Sequence, residues 1–313
     1  MHFQNMANLL ELSPDSRPDA NLHIMVVVAF KFRAARLRHL FEVATGFGEY
    51  TDAAVDFIVT TTADDAELAT LERSLVALRT SGMRVSFRQV PFDPAAPYRV
   101  TWAHKTLLRE AFLPDPRYSH FIYVEDDIRL SHLNFSYFRL FREQLRPYGL
   151  LPGFLRYEFN DMDYHTYLVD HREPTKIADM PGVDLGDIRF VNVDTPYQAC
   201  FVLDRELAAE HAAGPSFDVE ASKIYGHGEA ERANLAFSFE NIPTSGGFTS
   251  RYAMPLDRKT GLPLHAALIR HLPDNFTNRV PPVLKFGTLP VEAMFRSDKS
   301  SGTPHRHPAN PGE

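Results

Sequence analysis

The chain has almost no cysteine and no long apolar run, and each shortage argues against a class of protein. Because the one cysteine, Cys200, cannot form an internal disulfide, a reducing compartment is expected. Its apolar neighbours at 199–203 indicate a small buried side chain. The longest strongly apolar run, 24–30, is far too short to span a bilayer. Residues 1–20 contain acidic residues and lack a basic start, which argues against a signal peptide. A cytoplasmic protein without a transmembrane segment is therefore expected.

Long blocks of positive charge are also missing. The chain has 33 Lys and Arg against 40 Asp and Glu, and its net charge is -7. In the densest basic segment, 31–38, the charges are mixed with apolar residues, which is typical of the solvated face of an amphipathic helix. No nucleic-acid partner is therefore expected. A length of 313 residues with 44% apolar composition is ample for a buried core.

Strand-like and helix-like segments alternate through the first half of the chain. Apolar, β-rich runs predict four strands, at 22–30, 55–62, 83–90 and 120–124. Apolar residues at helical spacing predict three helices between them, at 31–45, 64–82 and 101–112. This order predicts an α/β fold with a Rossmann-like, mostly parallel sheet flanked by helices and right-handed crossovers. Ligands of such sheets bind beyond the carboxyl ends of the strands.

The second half is less regular. Its predicted strands are 154–159, 189–193 and 199–203, and its predicted helices are 134–145, 203–211 and 229–237. The stretch 160–187 is polar and has few periodic features, so it is interpreted as an excursion or lid loop. Arg156 and Glu158 alternate on one predicted strand and therefore share a face. Either a face directed toward the acceptor or a structural ion pair explains this arrangement.

Three adjacent carboxylates, Glu125-Asp126-Asp127, follow the fourth predicted strand directly. Adjacent carboxylates repel each other, and burying one without a partner is costly. A divalent cation resolves this conflict, and carboxylate oxygens suit Mg²⁺ or Mn²⁺, which also bind substrate phosphates. A solvated turn is the alternative, but the buried-strand pattern at 121–124 favours a metal site at the ligand edge of the sheet.

The stretch SHFIYVEDDIRLS, with TWAHK before it and LLPGFLRYE after it, resembles nucleotide-sugar glycosyltransferases of the GT-A fold. These enzymes carry an Asp-x-Asp-type motif at the end of a strand in a Rossmann-like sheet. The resemblance covers roughly residues 22–275, and the first motif position is Glu125 rather than Asp. It implies that Asp127 is the direct metal ligand. Glu125 would contact the metal, its bound water or ribose, and Asp126 would support the site.

Two further roles follow from the resemblance. A late histidine often completes the metal shell in this class, and His271 lies just before a Leu-Pro loop that can hold its ring. A packing or surface histidine is the alternative. An acidic general base often stands at a helix start, where Glu229 follows Gly226 and Gly228. Glutamate is also favoured there by the helix dipole alone, and Glu231 and Asp218 are the other candidate bases.

Five residues near the predicted strand ends are candidates for binding the nucleotide or its phosphates: Phe30, Arg33, Thr61, Asp64 and Lys105. Phe30 and Arg33 follow the first strand, where this fold usually meets the nucleotide. Thr61 and Asp64 follow the second strand, and Lys105 lies on the helix before the acidic motif. Capping or surface placement is the ordinary alternative for each of them.

The predicted activity is metal-dependent transfer of a sugar from a nucleotide-diphosphate donor to a carbohydrate or other hydroxyl acceptor. The predicted chemistry is inverting, with Glu229 as the general base. The alternatives are a non-catalytic nucleotide- or carbohydrate-binding module and a sugar nucleotidyltransferase. The latter normally has a glycine-rich loop after the first strand, and AFKFRAAR contains no glycine. The predicted organisation is an N-terminal extension (1–20), one catalytic domain with a nucleotide-sugar half (21–130) and an acceptor half (131–296), and a disordered tail (297–313).

Overall fold

The fold is mixed α/β, in a computed structural model that describes residues 22–79, 82–279 and 286–296. The predicted extension 1–20 and tail 297–313 lie outside the described residues. The α-helices are α1 (Leu37–Gly48), α2 (Asp65–Leu75), α3 (Arg99–Leu107), α4 (His132–Leu145), α5 (Arg205–Ala213) and α6 (Glu229–Leu235). A π-helical turn, Leu108–Phe112, continues α3, and short 3-10 turns include Ala34–Arg36.

The strands are short in the second half of the chain and long in the first. In order they are β1 (Leu22–Phe30), β2 (Ala53–Thr61), β3 (Met83–Gln89), β4 (His120–Glu125), β5 (Ile128–Arg129), β6 (Leu151–Pro152), β7 (Leu155–Phe159), β8 (Thr166–Leu168), β9 (Thr175–Lys176), β10 (Gly182–Leu185), β11 (Ile188–Asn192), β12 (Cys200–Asp204), β13 (Tyr252–Asp257), β14 (Leu268–His271), β15 (Leu289–Pro290) and β16 (Phe295–Arg296). Among the described residues, no helix is long and apolar enough to cross a membrane.

The main sheet has the order β12-β4-β1-β2-β3, and the first four strands of the chain run parallel, as predicted. Only β12 is antiparallel, against β4. The strands β1 and β4 are almost entirely buried because helices such as α1 and α3 pack on the sheet. Burial on both faces explains why these strands are continuous apolar runs rather than alternating ones.

A second sheet, in the order β15-β8-β7-β14-β5, connects the two halves of the chain. Here β14 runs parallel to β7 and antiparallel to β5, the two-residue strand that follows the acidic motif. Two smaller sheets, β10-β11-β13-β6 and β16-β9, complete the strand pairing of the described residues. The second sheet therefore brings late residues of the chain next to the end of β4.

Two sequence predictions about local structure were wrong. The stretch 160–187, interpreted as a loop, contains β8, β9 and β10. These strands have two to four residues each, too few for a periodic pattern, and long-range pairing supplies their stability. The helix predicted over 31–45 begins only at Leu37, after the turn Ala34–Arg36, and runs on to Gly48. That delay leaves residues 31–36 at the ligand edge of the sheet.

Candidate active site

The acidic motif lies at the carboxyl edge of the main sheet, where three strands end together. Glu125 is in register with Ala29 of β1, and Phe30 is in register with Thr61 of β2. Asp126 and Asp127, which follow β4, are each only 7% exposed. Because two carboxylates buried this deeply need compensating positive charge, the groups around them define the site.

Arg36 supplies positive charge to both aspartates. Its Nε and Nη2 atoms donate to the two carboxylate oxygens of Asp126, at 2.7 and 2.6 Å. The same Nη2 also donates to Oδ2 of Asp127 at 2.7 Å. Paired donation of this kind is the geometry in which a guanidinium binds a carboxylate best. The late start of α1 makes the contact possible, since Arg36 ends the turn that precedes the helix.

His271 lies on the other side of Asp127. Strand β14 pairs with β5 so that His271 is in register with Ile128, and the amide of Leu272 donates to the carbonyl of Asp127 at 2.9 Å. As a result Nε2 of His271 is 3.5 Å from Oδ2 of Asp127. The imidazole is 4% exposed. Two residues 144 positions apart in the sequence (127 and 271) are thus adjacent because of strand pairing.

Glu158 fixes the orientation of this histidine. The Nδ1 atom of His271 donates to Oε1 of Glu158 at 2.5 Å, and Oε2 of Glu158 accepts the amides of Phe276 and Thr277 at 2.9 and 2.7 Å. Glu158 is fully buried. A carboxylate that holds one ring nitrogen directs the other nitrogen outward, which is how metal-binding histidines are usually positioned. The face shared by Arg156 and Glu158 holds no mutual ion pair, because Arg156 binds Asp170.

Glu125, the first member of the motif, has a separate set of partners. Its Oε1 accepts hydrogen bonds from the hydroxyl of Tyr197 at 3.1 Å and from Nδ2 of Asn234, on α6, at 3.2 Å. Burial, and after it the charge of Asp127, raises the pKa of Glu125 to about 7. Arg156, whose guanidinium lies over the ring of Tyr197 at 4.7 Å, acts in the opposite direction. Burial and the neighbouring aspartate thus both oppose the ionised form of Glu125.

Asp127 and His271 shift each other's protonation in opposite senses. Burial opposes ionisation of Asp127, but the hydrogen bond and charge of His271 outweigh it and hold the pKa of Asp127 below its usual value. Burial likewise disfavours imidazolium, yet the hydrogen bonds to Asp127 and Glu158 raise the pKa of His271 above its usual value. Each group thus favours the charged form of the other, imidazolium at His271 and carboxylate at Asp127.

The donor atoms of Asp127 and His271 fit a divalent cation. Two ligands at right angles, each about 2.1 Å from one ion, are about 3 Å apart, close to the separation of Oδ2 and Nε2. Across residues 22–79, 82–279 and 286–296, no group of three or more His, Cys, Asp or Glu is arranged to hold a metal. A cation would therefore take its other ligands from phosphate and water, as Mg²⁺ and Mn²⁺ commonly do.

Glu229 is the first residue of α6, as the sequence predicted for a candidate base. Its carbonyl accepts from Nε1 of Trp102 at 3.1 Å, which anchors the start of the helix. Asn234, which contacts Glu125, is five residues further along, or about 8 Å at the rise of an α-helix. Glu229 and the residue that contacts the acidic motif thus lie on the same short helix, whose start is anchored by Trp102.

The other two candidate bases have local structural roles. The carboxylate of Glu231 folds back over Gly228, where a Cβ would meet it at 2.1 Å. Asp218 accepts the amides of Glu220 and Ala221 at 2.8 and 2.9 Å, which lowers its pKa. Within the described part of the chain, the carboxylate of Glu229 has no hydrogen-bond partner. The same is true of Glu231, but its carboxylate lies against Gly228, so Glu229 has the least constrained carboxylate of the three.

The five candidate nucleotide contacts have different environments. Phe30 and Thr61 are buried at the carboxyl edge, where the Thr61 hydroxyl accepts the amide of Ala63. Arg33 is exposed beside them, and exposed Asp64 caps α2 through a reciprocal bond with Glu67. A role in binding the nucleotide remains a prediction for each of these residues.

Lys105, the fifth of these candidates, is buried on α3. Its ammonium donates to the carbonyl of Ser216 and lies 4.0 Å above the ring of Trp102. Burial lowers the pKa of Lys105 well below its usual value. In this conformation its polar contacts are internal, so a phosphate contact would require the side chain to leave them.

The sequence interpretation missed Arg36, Tyr197 and Asn234, and it did not identify Glu158 as the partner of His271. Arg36 lies in the densest basic segment, which was interpreted as a solvated helix face. Its placement depends on the turn at Ala34–Arg36. Tyr197 lies in a segment without a motif, and Asn234 lies on the helix predicted to begin at Glu229, where no local signal marked it as a partner of Glu125.

Comparison with known proteins finds similarity to solved structures at low sequence identity. No protein-family model and no curated protein matches this sequence. A structure of the galactosyltransferase LgtC with donor and acceptor sugar analogues is similar over 44% of this chain and 46% of that chain, at 15% identity and a TM-score of 0.25. An active-site mutant of LgtC is similar over 71% of each chain, at 12% identity and a TM-score of 0.34. This chain thus covers less than half of the first structure, and scores this low carry no argument about function.

Proposed function

We propose that the protein is a metal-dependent glycosyltransferase that moves a sugar from a nucleotide-diphosphate donor to a hydroxyl acceptor. The observation that carries the proposal is the pair of donor atoms on Asp127 and His271, 3.5 Å apart at the carboxyl edge of a parallel sheet. Hard cations at such an edge typically bind substrate phosphates. The ion is proposed to be Mn²⁺ or Mg²⁺.

Each residue of the site has a distinct role in this proposal. Asp127 and His271 hold the cation, which supplies Lewis-acid stabilisation of the diphosphate leaving group when bound. Glu158 keeps the second histidine nitrogen directed at the site. Glu125 is positioned by Tyr197 and Asn234 to accept a hydrogen bond from the donor or its bound water.

Glu229 is the proposed general base. A carboxylate beside the acceptor hydroxyl takes its proton as the oxygen attacks the anomeric carbon, while the bond to the diphosphate breaks. Attack by the acceptor on the face opposite the diphosphate inverts the configuration at that carbon. Inverting chemistry is thus part of the proposal, and it depends on Glu229 facing the acceptor.

The alternative with a specific observation in its favour is a non-catalytic nucleotide- or carbohydrate-binding module. Arg36 already contacts both Asp126 and Asp127, so part of the negative charge of the acidic motif is neutralised by the protein itself. A sugar nucleotidyltransferase has no comparable support, because residues 31–36 form a basic turn without glycine. Turnover with a nucleotide sugar separates the enzyme from the module.

A thermal-shift screen of nucleotide sugars tests the proposal. A ligand that binds only the folded state stabilises it by about 2.7 kcal/mol at 100 times its Kd, or several degrees for a chain of this size. We expect one nucleotide sugar to raise the midpoint with Mn²⁺ and not with a chelator. Free monosaccharides with Mn²⁺ serve as the control. Equal shifts with and without Mn²⁺ would contradict metal dependence.

The pH dependence of Mn²⁺ binding tests the role of His271. Only the neutral imidazole binds a metal, so affinity should rise with pH until His271 has lost its proton. Because the pKa of His271 is raised, that rise should extend above about 6.5, the unperturbed value. Calorimetric titrations with Mn²⁺ from about pH 5.5 to 9 measure it.

Glu158→Gln is the matched variant for this profile. It removes a charge that favours imidazolium, so the rise in Mn²⁺ affinity should move to lower pH. Loss of the oriented ring should also lower the affinity reached at high pH by about 10- to 100-fold. An unchanged profile in Glu158→Gln would mean that His271 is not a ligand.

A further inference from the structure

Arg36 contacts the carboxylate oxygen of Asp127 that is proposed to hold the cation. Its Nη2 bonds to Asp127 Oδ2, the same oxygen that faces Nε2 of His271. Its Nε bonds only to Asp126. The guanidinium thus makes two kinds of contact, a paired one that anchors it to Asp126 and a single one to the proposed metal ligand.

A divalent cation and the Nη2 contact compete for Asp127. An ion about 2.1 Å from Oδ2 would lie within a few ångströms of Nη2, which is 2.7 Å from the same oxygen. Repulsion at that distance opposes metal binding even when solvent screens it strongly. The free protein should therefore bind a bare cation weakly.

A diphosphate removes this conflict. Its oxygens accept hydrogen bonds from a guanidinium as well as carboxylates do, and they also ligate the ion. Arg36 can reach such a group, because its side chain is 33% exposed and it stands at the end of the turn following β1. Its anchor on Asp126 can persist while only the Nη2 contact changes partner.

We propose that Arg36 is the counter-ion of the acidic motif in the free protein and a binding residue for the donor diphosphate in the complex. Its Nη2 contact passes from Asp127 to a phosphate oxygen, so that metal and diphosphate bind tightly only together. This inference rests on the proposed metal-dependent function. It adds a donor-binding residue and a coupling between metal and diphosphate, both of which follow from the position of one guanidinium.

The test compares Mn²⁺ alone with a preformed complex of Mn²⁺ and inorganic pyrophosphate, titrated calorimetrically into the full-length protein. Wild type should bind the complex at least about tenfold more tightly than the bare ion, because coupling between bound groups commonly reaches this size. Arg36→Gln should bind bare Mn²⁺ about tenfold or more tightly than wild type does, since a neighbouring positive charge is gone. It should also lose part of its affinity for the complex.

Two further variants serve as controls. Arg36→Lys keeps the compensating charge and so protects folding, but it loses the paired contact, and its affinity for bare Mn²⁺ should lie between those of wild type and Arg36→Gln. Arg38→Gln removes the same charge from the same segment, where the side chain contacts His39 rather than a carboxylate, and it should behave like wild type. Circular dichroism establishes that each variant is folded.

Two results would overturn the inference, and they differ in what else they overturn. If folded Arg36→Gln and Arg36→Lys bind bare Mn²⁺ no more tightly than wild type, Arg36 is not a competing counter-ion, while the metal site stands. If neither wild type nor any variant binds the ion or its pyrophosphate complex, the proposed metal-dependent function fails as well.

Discussion

Asp127→Asn is expected to abolish Mn²⁺-dependent binding of a nucleoside diphosphate and to leave the fold intact. The amide has nearly the same size as the carboxylate, but it lacks the charge that draws both the cation and His271. Loss of a residue that only orients a ligand costs about 10- to 100-fold in metal affinity, so loss of the ligand itself should cost more than 100-fold. Calorimetry with Mn²⁺ and a nucleoside diphosphate measures the loss.

Asp115→Asn provides a matched control for this variant. Asp115 pairs with Arg117 just before β4, at the end of the strand opposite to the acidic motif. Its replacement should leave Mn²⁺-dependent binding at the wild-type level. If Asp127→Asn retained wild-type affinity and the same requirement for Mn²⁺, the acidic motif would not be a metal site, and the binding-module alternative would gain support.

Glu229→Gln is expected to lower kcat by about 10²-fold or more and to leave donor affinity nearly unchanged. The glutamine has the same shape and retains the backbone bond from Trp102, so α6 should stay in place. What it lacks is a group that accepts a proton in the transition state. An interaction made only in the transition state lowers kcat and kcat/KM together. Steady-state kinetics with the donor found in the thermal-shift screen measure both constants.

Glu231→Gln and Asp218→Asn are the controls for the base. Their carboxylates lie over Gly228 and on two backbone amides, so their replacement should affect the local turn more than the chemical step. A variant that lost these contacts would be expected to lose stability and to retain most of its kcat. Near-normal turnover in Glu229→Gln, with turnover abolished in either control, would assign the base elsewhere.

The sequence alone determined the four parallel strands of the main sheet and the position of their ligand edge. The strands β1 and β4 are continuous apolar runs because both faces are covered, so their identity and their parallel order could be predicted from local pattern. The acidic motif follows β4 directly, and its position at the edge needed no knowledge of distant contacts. The cap of α2 by Asp64 was predicted for the same reason, since it involves residues three apart.

Only the tertiary structure decided what surrounds that motif. Arg36 lies 90 residues from Asp126, and Glu158 lies 113 residues from His271. The two-residue strand β5 and its pairing with β14 bring His271 to Asp127, and a strand so short has no periodic pattern. Strand registers are set by burial and pairing across the whole sheet rather than by neighbouring residues. The charges that neutralise the motif were therefore invisible in the sequence, although the motif itself was not.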